Sequence, residues 1–178
     1  LVQLLKDLDI DDNTLIVFTS DNGTLSESGL DDVGKYEPNY LDTFGRYDGI
    51  KLDMWEGGLR MPTLVRWPSA VAPGSESDAA SQFHDWMATF CDLAGIQPPA
   101  VSDGVSLVPT LTDEGKQQRG IVYSEMRIGS KTPDFREFQA NRRGRSRGQM
   151  QSVLIGDYKG VRVDIKDHQS VFEVYHTL

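Results

Sequence analysis

The sequence predicts an α/β fold that passes into a small antiparallel β-rich carboxyl-terminal part, and three observations predict it. A helix-spaced leucine stripe, a turn and a β-branched apolar run open the chain in that order, a second apolar run and a second helix-spaced stripe follow, and after Gly115 short strand-like runs alternate with turn residues. The 178 residues are the size of one ordinary domain, and 38% apolar with 25% charged residues excludes disorder as the main state.

Leu1, Leu4, Leu5 and Leu8 fall at i, i+3, i+4, i+7, and Asp11, Asp12 and Asn13 stop the pattern. Thr14 to Thr19 is β-branched and almost wholly apolar, as expected of a strand covered on both faces, and it runs straight into Ser20-Asp21-Asn22-Gly23. Thr24 to Gly49 is polar with no period, the mark of a functional or mobile loop. A second apolar stretch, Pro62 to Trp67, precedes a Pro/Gly/Ser connector at Ser69 to Ser77. Phe83, Trp86, Met87, Phe90 and Ala94 keep helical spacing until Gly95 and Pro98-Pro99, which predicts a helix lying against the sheet. Ile121 to Tyr123, Val153 to Ile155, Val161 to Ile165 and Val171 to Tyr175 predict a small antiparallel sheet, with a hairpin at Gly156 to Gly160. Arg136 to Arg147 reads as a polar, arginine-rich loop.

The 18 basic and 27 acidic side chains leave a net charge of −9, which speaks against a general nucleic-acid or anionic-membrane surface; any anion must be met locally. No apolar run has the length of a membrane span, and the first ten residues lack the features of a signal peptide. A chain opening at Leu1 without Met reads as a piece of something longer. The single cysteine, Cys91, excludes an internal disulfide and sits where a small core residue of the second helix belongs.

Two elements can carry chemistry. Asp21 and Asn22 place a carboxylate and an amide oxygen at the carboxyl end of an apolar strand, where open α/β sheets bind ligands; both are hard donors suited to Ca²⁺ or Mg²⁺. Asp-Asn-Gly is equally a common turn, and two donors do not complete a site that takes six to eight. Lys51, followed by Glu56-Gly57-Gly58-Leu59-Arg60-Met61-Pro62, would by itself be a solvated lysine before a turn; beside a cation it supplies a second positive charge to an oxyanion. His84 reads as a partly exposed helix-end residue, and His168 and His176 as structural or exposed. Arg136, Arg142, Arg143, Arg145 and Arg147 read as a solvated loop, with the alternative that Arg142 and Arg143 border a cleft and bind an anionic group of the substrate.

Together the two elements resemble the sulfatase family, hydrolases of sulfate esters with an alkaline-phosphatase-like α/β fold. Thr19-Ser20-Asp21-Asn22-Gly23 resembles the segment whose Asp and Asn bind Ca²⁺, and Gly49-Ile50-Lys51 through Pro62 the segment whose lysine contacts the sulfate group. The stretch around Asp85 resembles the family's Asp-x-x-Pro-Thr helix, with Ala88 in the proline place, and Asp103 to Leu111 the piece after it. The resemblance extends over about residues 1 to 165, and Val171 to Leu178 resembles the start of the family's final tyrosine-containing motif. In the family Arg-Gly often precedes the lysine; this chain has Asp48-Gly49. Nothing here resembles Cys/Ser-x-Pro-x-Arg, the source of the formylglycine nucleophile, and the paired acidic ligands, histidine and lysine of the family's earlier segments are likewise not in this sequence.

The resemblance therefore implies the carboxyl-terminal half of a sulfatase. Residues 1–115 would be the last part of an alkaline-phosphatase-like mixed-sheet sandwich and residues 116–178 a small β-rich subdomain. It implies Ca²⁺, or Mg²⁺ as the alternative, at Asp21 and Asn22, Lys51 as the catalytic and sulfate-binding cation, and formylglycine in the missing amino-terminal half, which would be its partner. The substrate would be a sulfated small molecule or glycan, the compartment periplasmic, extracellular or lysosomal, and the fragment alone inactive. A related phosphatase or phosphodiesterase and a non-catalytic binding module are the alternatives.

Overall fold

The computed structural model describes residues 1–25 and 42–177, so most of the long polar loop expected between Thr24 and Gly49 lies outside the described residues. The chain divides into two compact units, Leu1–Thr19 with Thr63–Val122, and Ser20–Pro62 with Tyr123–Leu178. This division does not follow the sequential boundary near residue 115, because the segment bearing Lys51 belongs with the carboxyl-terminal sheet.

In the first unit, helix α1 (Val2–Asp7) precedes strand β1 (Ile16–Thr19), which pairs antiparallel with β2 (Thr63–Arg66) in the register Phe18↔Leu64 and Thr19↔Thr63. Arg66 ties β2 to the turn before β1 through a bidentate pair with Asp11, 2.7 Å for each bond. The expectation that β1 is covered on both faces is corrected: Phe18 is 70% exposed and its partner Leu64 65%. An apolar run records the burial a strand suits, and among the described residues nothing covers that face. The α1 stripe behaves alike, with Leu5 buried and Leu1, Leu4 and Leu8 exposed.

Helix α3 (Phe83–Leu93) forms where the spacing predicts it, but its apolar stripe is not the face it buries. Phe83, Met87 and Phe90 are exposed, while Asp85, Ala88, Thr89 and Cys91 are buried. The buried face is held by hydrogen bonds: Asp85 accepts from the amides of Gln82 (2.7 Å) and Val105 (2.9 Å), and Thr89 accepts from Leu107 N (2.9 Å). Short side chains let residues 104–107 approach closely, and a Cβ on Gly104 would strike the His84 carbonyl. The short helix α4 (Val108–Thr112) follows and packs on α3.

The second unit is built on a sheet of order β3-β4-β5-β6, comprising β3 (Val122–Lys131), β4 (Ser146–Ile155), β5 (Tyr158–Arg162) and β6 (Glu173–His176). The expected antiparallel sheet is present, with β4 and β5 joined by a two-residue turn in which Gly156 has φ +60°. Helix α2 (Glu56–Leu59) lies over it. Met54 and Trp55 join Met150 and Val161 in one core cluster, and Phe44, Ile50 and Phe138 form another, with Phe138 edge-on to Phe44 at 5.1 Å. The reading of Arg136 to Arg147 as a solvated loop is corrected, since Phe138 and Arg147 are buried and β4 begins at Ser146.

Candidate active site

Asp21, Asn22 and Lys51 all belong to the second unit. The turn after β1 and the Lys51 segment are stitched together by backbone: Lys51 N donates to Thr24 O at 2.6 Å and Gly23 N to Gly58 O at 3.0 Å. Glycine is required at this seam, because a Cβ on Gly23 would meet the Gly57 carbonyl and one on Gly57 the Gly49 carbonyl. Asp21 is exposed, and Asn22 and Lys51 are half-buried. The structure thus brings the expected metal-ligand turn and the expected lysine to one seam.

The lysine's own loop is strained. Leu52, a bulky residue, has φ +80°, and Gly49 has φ +88°. A non-glycine residue held there costs on the order of 1–3 kcal/mol and persists only where its surroundings over-determine it.

Those surroundings are three acidic side chains of the same segment, each held by a base from a distant one. Arg142 donates to Asp48, whose other oxygen accepts from Gln139 N at 2.8 Å. Arg147 grips Asp53 with two bonds, 2.8 and 3.0 Å, and Thr132 adds a third at 2.7 Å. Lys159 donates to Glu56, which also accepts from Arg60 at 2.8 Å. Burial alone would raise the Glu56 carboxyl, but Lys159 and Arg60 outweigh it and hold it below the ordinary carboxylate range; burial likewise pushes the Lys159 ammonium down against the pull of Glu56. Among the described residues no carboxylate pairs with Lys51.

Arg142 lies over the rings of Tyr175 (4.8 Å) and Trp55 (5.5 Å), and Arg143 donates to the carbonyls of Phe138 (2.7 Å) and Arg136. Both guanidinium groups therefore have partners inside the protein. Burial pushes the Tyr175 phenol up to about 12, against the opposing charge of Arg142. The acid–base pairs are not legible in the sequence because their members lie 94 to 103 residues apart.

His84, on the first turn of α3, lies in the first unit, 3.7 Å from Asp85, while His168 and His176 are exposed. Cys91 is buried and free. Among the described residues no group of three or more His, Cys, Asp or Glu could hold a metal ion. Asp21 and Asn22 match a hard cation in donor type, on a turn where a Cβ at Gly23 would strike the Gly57 carbonyl, and by number they would furnish only two of the six to eight ligands such an ion takes.

Solved structures with this architecture have the alkaline-phosphatase-like fold, of which the chain represents a part. One, in complex with its substrate D-glucosamine-2-N,6-O-disulfate, is 26% identical with a TM-score of 0.61, over 98% of this chain and 30% of that one. The phosphonate monoester hydrolase of Silicibacter pomeroyi, 23% identical, matches with a TM-score of 0.62 over 98% of this chain and 31% of its own. In sequence, the family described as Sulfatase matches residues 1–96. The human N-acetylgalactosamine-6-sulfatase is 35% identical over 125 residues, 69% of this chain and 22% of that protein. The chain belongs to the sulfatase family, and it spans about a fifth of the length of the curated relative just named.

Proposed function

We propose that the chain is the part of a sulfate-ester hydrolase that supplies Asp21 and Asn22 to a divalent cation and Lys51 to the sulfate group. The observation that carries this reading is the backbone seam, Lys51 N to Thr24 O and Gly23 N to Gly58 O, which fixes the lysine's loop against the Asp21-Asn22 turn. A Ca²⁺ or Mg²⁺ ion bound there would polarise a sulfate oxygen. Lys51 would then hold a second oxygen and stabilise the charge that grows on the ester as the S–O bond breaks. Asp21 and Asn22 would hold that ion, and the remaining ligands and the formylglycine nucleophile would come from the rest of the protein. The sulfated amino-sugar chemistry in the names of its relatives supports a sulfated glycan or small sulfate ester as substrate.

The test is made in the full-length protein with para-nitrophenyl sulfate. Lys51→Ala is expected to lower kcat roughly 10²–10³-fold, and Asp21→Ala to raise the Ca²⁺ concentration needed for half-maximal rate. Residues 1–178 alone are expected to show no turnover. Full activity in Lys51→Ala, or turnover by the isolated chain that survives repurification, would refute the reading. The fold likeness to a phosphonate monoester hydrolase favours one second reading, phosphoryl ester hydrolysis. It would be preferred if a phenyl phosphonate ester were turned over faster than the sulfate.

A further inference from the structure

We propose that Arg142 and Arg147 are positioning residues for Lys51: by each holding one of the two buried carboxylates that bracket the lysine, Asp48 and Asp53, they fix its loop and keep its charge available to an anion. The inference rests on the proposed contact of Lys51 with a sulfate oxygen and assigns the arginine-rich segment a part in it.

Asp48 and Asp53 stand three residues before and two after Lys51, at 8% and 0% exposure. Their oxygens are fully engaged. Asp48 accepts from Gln139 N (2.8 Å) and Arg142, and Asp53 from Thr132, from Arg147 twice, and from Ile50 N at 3.0 Å, inside the lysine's own loop. The arginines are fixed in turn, Arg142 over the rings of Tyr175 and Trp55, and Arg147 by burial and by Ser130 at 3.1 Å. The chain from β6 to the lysine thus runs Tyr175, Arg142, Asp48, Lys51. Between the two anchors the backbone takes the left-handed turn at Leu52, a conformation the local sequence does not favour.

Electrostatics points the same way. Two unpaired carboxylates within three residues of the lysine in sequence would compete for its ammonium and draw positive charge away from any bound sulfate. Bidentate or stacked guanidinium groups satisfy the carboxylates instead, in a geometry that lysine does not reproduce. At Asp48-Gly49, just before the lysine, Arg142 from another segment cancels the negative charge of Asp48. With its guanidinium committed in this way, Arg142 acts on the substrate through Lys51.

The test is a double-mutant cycle in the full-length enzyme between Arg142→Gln and Lys51→Ala, with para-nitrophenyl sulfate and a sulfated glycosaminoglycan as substrates. Arg142→Gln is expected to lower kcat roughly ten- to a hundredfold on both, with KM little changed. In the Lys51→Ala background the same change should cost less than about twofold, since its route of action is gone. Amide hydrogen exchange over residues 48–57 should quicken in Arg142→Gln and in Asp48→Asn and stay unchanged in Lys51→Ala. If Arg142→Gln fails to accumulate, Arg142→Lys should show the same non-additivity with a smaller loss. Additive losses, a rise in KM confined to the polymer, or unchanged exchange over 48–57 would overturn the proposal. An undiminished rate in Lys51→Ala would instead remove the sulfate-contact reading, and the exchange measurement would still decide whether the arginines hold the loop.

Discussion

Arg147 shows how much one side chain does here. Its guanidinium is 6% exposed and faces a wholly buried Asp53, so removing it leaves a charge with no water and half its hydrogen bonds. Arg147→Met is therefore expected to cost about 3–5 kcal/mol in urea unfolding, whereas Asp53→Leu combined with Arg147→Met should recover much of that loss, because an apolar pair of similar volume carries no desolvation cost. A double variant as unstable as the single one would show that packing, not the stranded carboxylate, sets the cost. At this scale the sequence was informative where chemistry is local: Asp21, Asn22 and Lys51 stand out from their motifs, and the glycines at 23, 57 and 58 from their pairing with them. Asp48 and Asp53 did not stand out, because a carboxylate's need for a partner is written in the chain while the partner's address, up to 94 residues away, is not.

Among the elements, β6 is an edge strand, paired on one side with β5 in the register Tyr158↔His176 and Gly160↔Val174. Its inner residue Tyr175 packs on the core cluster and under Arg142, and its phenol is held up at about 12, against an ordinary 10.0, by burial. Below pH 10.0 the phenol is neutral folded or unfolded, so it has no pH effect there; between 10.0 and about 12 the unfolded chain ionises while the folded chain retains the proton. Stability from this group is therefore lost as pH rises through that window. Tyr175→Phe is expected to flatten the alkaline limb of the Tm against pH curve relative to the parent, and difference absorbance of the phenolate should place one tyrosine's ionisation above the rest. Lys159 titrates with the opposite sign, since its lowered value relieves a cost as pH rises, so only the difference between the two proteins isolates the tyrosine. An identical alkaline limb in Tyr175→Phe would show that β6 is not held by this residue. The strands and α3 were legible from periodicity, but the covered face of α3 was not: helical spacing locates an apolar stripe, and Phe83, Met87 and Phe90 form it, whereas the face in use is the polar one capped by Asp85 and Thr89.

For the whole molecule, the first unit presents apolar side chains that a self-sufficient domain would cover. Phe18 and Leu64 stand opposite each other on one face of the two-stranded sheet at 70% and 65% exposure, and Phe83, Met87 and Phe90 are about half exposed on α3. A two-stranded sheet is short of the three or more strands that independent stability requires, and its open edges invite pairing with another chain. The chain spans 22% of the human relative's length, and we propose that the remaining length of such a protein supplies the cover. Residues 1–178 expressed alone should then self-associate in a concentration-dependent way and bind a hydrophobic dye. Replacing Phe18 and Leu64 together by Thr, which keeps β propensity and removes the apolar face, should shift sedimentation toward monomer without moving the four-stranded sheet's exchange pattern. The two units make this discriminating: the second has its own core around Trp55, Met150 and Val161, so an association driven by the first unit should leave those amides protected. A chain that sediments as a monomer, with or without the Thr pair, would mean that these faces are tolerated as they stand and would remove the argument that they await a cover.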